Sequence, residues 1–180
     1  MQRYTLDTNC VFALEEERAE AVFIRRLLAR CASGLATTQI AAIAAAERRR
    51  CGEPIENFSE FQRRLDQLGF GAATILTPPA YVGIAFVDYC RIHSDEAEEL
   101  ERKIHDILFS SVPFEFVGGE MGTAAWKRWL NAKCDVLTMW CHLHYGGEVF
   151  VTADENFHRA SKKPRLVGLG AGQIVRPSEL

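Results

Sequence analysis

The chain has 180 residues, 48% of them hydrophobic and 25% charged, which suits one globular domain with a full core and excludes a disordered or collagen-like chain. A formal net charge of −3 excludes a simple polybasic nucleic-acid binder, so any such contact has to rest on local runs such as Arg48-Arg49-Arg50 or Lys162-Lys163. No basic leader with an apolar core opens the chain and no 18-residue apolar run occurs in it, so a soluble, cytoplasmic protein with no membrane partner is expected.

In chain order, Tyr4-Thr5-Leu6 is a compact strand signal that stops at three oxygen-bearing side chains, Asp7-Thr8-Asn9. Ala19 to Cys31 carries Val22, Phe23, Leu27, Leu28 and Cys31 on one helical stripe, with Gly34 as its stop. Leu35-Ala36-Thr37 predicts a second strand, Thr38 an N-cap, and Gln39 to Arg50 an alanine-rich helix. Phe58 to Leu68 is amphipathic, and Thr74 to Thr77 predicts a strand halted by Pro78-Pro79. Helices are expected over 80–92 and 94–109, and a loop rich in Pro and Gly over 110–122. A long helix should follow over 123–145, ended by Gly146-Gly147, then a strand over 148–152 and a last short strand near 172–175. Alternating strands and helices predict an α/β fold, a parallel sheet covered on both faces within a single domain, 1–180.

Six cysteines, at 10, 31, 51, 90, 134 and 141, form no Cys-x-x-Cys pair, which favours reduced thiols over a disulfide framework or structural zinc. The carboxylates are more telling. Asp7 and Asp154 each close a predicted strand, in Leu6-Asp7-Thr8-Asn9 and Val151-Thr152-Ala153-Asp154-Glu155-Asn156. Strand ends of a parallel sheet are where loops project ligand-binding side chains. Glu47 and Asp135 lie between them, each among apolar neighbours, where a lone carboxylate is costly. Acids gathered at one place repel, and a divalent cation relieves that repulsion; an all-oxygen ligand set suits Mg²⁺ or Mn²⁺. Asp7 and Asp154 can also be read as plain helix caps. Glu47, nine residues past Thr38, is the acid expected to stand furthest from the strand ends.

This ordered set resembles the PIN-domain nucleases, including the VapC-type ribonuclease toxins. The likeness rests on Leu6-Asp7-Thr8-Asn9, on Glu47 followed by Arg48 and Arg49, and on Asp135 lying 19 residues before Asp154 in Val151-Thr152-Ala153-Asp154-Glu155-Asn156-Phe157. It covers roughly 3–50 and 124–180, while 69–122 matches the family poorly and is taken as an added helical segment. The resemblance implies a three-layer α/β/α PIN-like fold and a Mg²⁺- or Mn²⁺-dependent endoribonuclease. Asp7, Glu47, Asp135 and Asp154 would be the metal-holding acids, with Asn9, Thr152 and Asn156 as supporting polar groups. Arg48, Arg49 and Lys133 would hold substrate phosphates. RNA is then the implied substrate, with a cognate antitoxin and a homodimer as implied partners. A catalytically silent PIN-like module that binds RNA or protein stays open beside the enzyme. An aspartyl phosphatase is opposed by Asn9, which stands where that chemistry uses a second aspartate.

Overall fold

The computed structural model describes residues 1–47, 57–92, 94–117 and 120–180. Five strands make one parallel sheet: β1 (Gln2–Leu6), β2 (Ala36–Ala41), β3 (Thr74–Leu76), β4 (Val149–Val151) and β5 (Gln173–Val175), in the spatial order β3-β2-β1-β4-β5. The chain therefore moves outward from β1 to β3, then returns to β1's other side with β4 and moves outward again.

That reversal sorts the helices. Helices α1 (Thr8–Glu15), α2 (Ala21–Ala32) and α3 (Phe58–Gln67) belong to the outward half and pack on one face. Helices α4 (Asp95–Leu108), α5 (Ala124–His144), α6 (Glu155–His158) and α7 (Lys163–Gly168) belong to the return half and pack on the other. The result is three layers, α/β/α. Strand alternation feeds both cores, because successive side chains leave a strand on opposite faces. Tyr4, Leu6, Ile40, Val149 and Val151 meet Ile24, Leu27 and Phe61. Ala41, Phe150 and Ile174 meet Val136, Leu137 and Trp140.

One polar column crosses the second core. Thr5 and Gln39, adjacent in register, face α5, where His142 Nδ1 lies 2.8 Å from Thr5 Oγ1 and Nε2 lies 2.9 Å from the Ala171 carbonyl. Burial drives the His142 pKa down to about 4, so the ring is neutral and its single N–H goes to the carbonyl, which can only accept. Thr5 Oγ1 then sits between two acceptors, Nδ1 at 2.8 Å and Gln39 Oε1 at 3.1 Å, and its one hydrogen serves one of them at a time.

Three expectations change. Thr38 is not a helix cap, because β2 runs on through it, pairing Thr38 with Tyr4, Gln39 with Thr5 and Ile40 with Leu6. The ladder to β1 outweighs the helix preference of the alanines, and only a 3-10 turn, Ala42–Ala46, follows before Glu47. The predicted helix over 80–92 is also absent among the described residues. Pro79 bridges to Arg91, Gly83 takes φ +81, and a single 3-10 turn spans Val87–Tyr89. Finally, 69–122 supplies edge strand β3 and helix α4, which packs along α5, so it contributes to the sheet and to one helical layer. The cysteines at 10, 31, 134 and 141 are free thiols. No helix among the described residues is long and apolar enough to cross a membrane.

Candidate metal centre

The sheet's order reverses between β1 and β4, and in an open α/β sheet the carboxyl ends of strands at such a point frame a crevice. Leu6 pairs with Val151, so Asp7 and Thr152 leave the sheet side by side, with the Asp7 amide on the Val151 carbonyl at 3.0 Å. Asp7 is buried and its carboxylate is fixed on both oxygens. Oδ1 caps α1 by accepting the Thr8 amide at 2.7 Å; Oδ2 accepts the Thr152 hydroxyl at 2.6 Å and the Asn9 amide. Asn9 in turn holds Thr152 Oγ1 at 2.9 Å and, through its carbonyl, the Ala153 amide at 3.1 Å. Asn9 and Thr152 thus stitch the two strand ends together around one carboxylate.

Glu47 arrives from the end of β2. Because β2 is longer than its sequence pattern suggests and the turn after it is short, Glu47 stays near the sheet edge, where its Oε1 accepts the Thr8 hydroxyl at 2.6 Å. Asp135 reaches the same point from the middle of α5. Carboxylate oxygens of Asp7, Glu47 and Asp135 all lie within 4.8 Å of one another. Glu47, expected to stand apart, is a full member; Asp154 is the acid outside that tight group. It borders the same cleft, caps α6 by accepting the Asn156 amide at 2.8 Å, and its own amide rests on Thr152 Oγ1.

The electrostatics follow from this crowding. Burial, with the Asp154 charge adding to it, pushes Asp7 up to about 6 against the pull of its hydrogen bonds. Burial and the Asp7 charge push Glu47 up to about 8. Asp135 lies well above the usual carboxylate range through burial first and then the charges of Asp7, Glu47 and Asp154. Three oxygens from separate elements with their ionised forms disfavoured are a donor set that a hard divalent cation completes.

A cleft of about 930 Å³ opens over the acids, walled by Phe12, Ile84, Phe86, Trp126 and Leu130, with Arg18 and Lys127 also on its lining. The remaining sequence candidates fall elsewhere. Lys133 turns into the interior, 2.7 Å from Glu101 and over the Tyr81 and Phe114 rings, so its ammonium does not face the cleft. Asn156 bonds through its side chain to Leu108 and Lys162 rather than to the acids. Arg48 and Arg49 lie outside the described residues. What the sequence does not single out is Thr8 as the link to Glu47, and two cations near the acids, Arg128 on α5 and Arg159 just after α6. The spacing Arg128, Asn131, Asp135 already put these three on one side of a helix. No protein-family model, no curated protein and no solved structure matches the chain.

Proposed function

We propose that this chain is a Mg²⁺- or Mn²⁺-dependent phosphodiester hydrolase acting on RNA, with the PIN-type arrangement its motifs resemble. The observation that carries the reading is the meeting of Asp7, Glu47 and Asp135 at the sheet's reversal point, with Asp154 on the same cleft. These residues fit a hard cation in type and in spacing, since octahedral Mg²⁺ binds oxygens at about 2.0–2.1 Å and closure on it takes only small side-chain shifts. When bound, such an ion lowers the pKa of water and neutralises charge on a phosphoryl oxygen.

The chain's own residues do the rest. Asp7, locked by Thr8, Asn9 and Thr152, presents one carboxylate in a fixed orientation. Glu47, steered by Thr8, and Asp135, on a buried helix, close the donor set from two further directions. Asp154 adds negative charge from the β4 end. Lys127 offsets the repulsion between a phosphate and the acids, while Arg18 on the same lining is paired with Glu16 at 2.6 Å. RNA as the substrate rests on the motif resemblance.

The test is cleavage of a single-stranded RNA panel with Mn²⁺, with Mg²⁺ and with chelator. Wild type should cut only with metal, and Asp135→Asn should lose at least about 100-fold, since groups that merely orient ligands are worth roughly 10–100-fold. A wild type that binds RNA yet stays inert with both ions would mark a binding module instead.

A further inference from the structure

A second cleft, of about 640 Å³, adjoins the acidic one and shares Asn131 and Asp135 with it. Its other lining comes from the end of α4, the next turn of α5, and the α6–α7 junction, and its character is opposite: Arg128, Arg159 and Lys162 border it. Among the described residues Arg128 and Arg159 make no ion pair, and the neighbouring Glu155 is taken by Arg176 at 2.9 Å. Lys162 is anchored, donating to the Leu108 carbonyl and to Asn156 Oδ1. Its ammonium is pushed down by burial and then by the charge of Arg159. Three cations gathered here, offset only in part by Asp154 and Asp135, carry a standing cost that an anionic ligand removes.

We propose that this basic groove holds backbone phosphates of the same nucleic-acid strand whose neighbouring phosphate sits at the acids, so the strand crosses α5 at Asn131 and Asp135. The inference rests on the reading of the acids as a metal-dependent nuclease site. Continuity between the clefts selects the occupant: a ligand spanning both must offer one anionic group to the metal and further anionic groups a short way along, as a polynucleotide does. Asn131, at the shared edge, is placed to donate to the bridging stretch.

The test compares wild type with the Arg128→Ala/Arg159→Ala double variant; both side chains are exposed, and Lys162 is left in place because it ties α4 to α6. Anisotropy of a labelled 12-nucleotide single-stranded RNA is followed over a salt series in Ca²⁺, with strand integrity checked on a gel. The variant should bind at least about tenfold more weakly, with the slope of log K against log salt reduced by roughly 1.4 for two lost phosphate contacts on a single strand. Its thermal shift with Mn²⁺ should match wild type, and its cleavage should suffer in KM rather than kcat. Wild-type affinity and slope in the variant would overturn the groove. So would inorganic phosphate or a mononucleotide competing as well as the oligomer, which would make it a free-anion site. If wild type shows neither a Mn²⁺ shift nor cleavage while the double variant still loses RNA, the metal-site reading fails and the groove stands.

Discussion

Asp7 does two jobs with one carboxylate, and that separates it from the acids beside it. Oδ1 starts α1 and Oδ2 clamps β1 to β4 through Asn9 and Thr152. Among the described residues Asp135 takes no hydrogen bond and meets its neighbours through charge alone. Replacing a carboxylate by an amide should therefore act differently at the two positions. Asp7→Asn puts an NH₂ against donors and should cost about 1–3 kcal/mol in chelator. Asp135→Asn removes a carboxyl whose ionisation burial and the neighbouring acids penalise, and should leave the metal-free protein as stable as wild type or more so. Thermal melts in chelator decide this, and an Asp135→Asn protein that melts well below wild type would show a structural role for that acid. Asn9→Ala tests orientation alone: it keeps every acid and should lower Mn²⁺ affinity by roughly 10–100-fold in a titration.

At the scale of elements, the sequence exposes what is local and hides what is long-range. The ends of β1 and β4 are legible because a short apolar run followed by Asp-Thr-Asn or Thr-Ala-Asp is both a strand stop and a cap. The length of β2 is not legible. Gln39 to Ala46 is rich in a strong helix former, and only pairing with Thr5 and Leu6 on one side and with Thr74, Ile75 and Leu76 on the other makes its first part a strand. Glu47 was misplaced for that reason. Lys133 does not reach the cleft that the resemblance implies for it, since residues two apart on a helix do not share a face and Asp135 takes the cleft side. The basic groove depends on α5, the end of α4 and the α6–α7 junction coming together, which no local pattern encodes. The Gly146-Gly147 stop was legible as a helix end, but its tightness was not. A Cβ on Gly147 would sit 2.2 Å from His142 Nδ1 and 2.6 Å from Thr5 Oγ1. Gly147→Ala should accordingly force the His142 column apart and cost about 1–3 kcal/mol, readable as a lower denaturant midpoint. Gly168→Ala, where a Cβ meets nothing within 4 Å, is the control.

For the whole molecule, the acids and the buried histidine tie stability to pH with opposite signs. Glu47, raised to about 8, keeps a proton that the unfolded chain has already released by pH 6.5, and Asp135, raised well above its ordinary value, acts in the same direction. The native state then binds more protons than the unfolded one, so stability falls as pH rises through this range. His142 works the other way: held near 4 in the fold, it favours the native state fully above about 6.5 and loses that contribution as pH falls. Asp7, at about 6, overlaps the histidine, so the window from pH 6.5 to 8 is the one that reads Glu47. Across it, the melting temperature in chelator should drop, by at most about 1.4 kcal/mol per pH unit for each retained proton, or roughly 3–5 °C in a chain of this size. Glu47→Gln should flatten the slope, and Mn²⁺ should reverse it, because the ion takes the places of the protons and binds only the folded state. Melts at pH 6.5 and 8 with chelator and with Mn²⁺ give the answer. A wild-type melting temperature that climbs with pH in chelator, unaltered by Glu47→Gln, would mean that these carboxylates are ionised without a cation and that the site is not built to hold one.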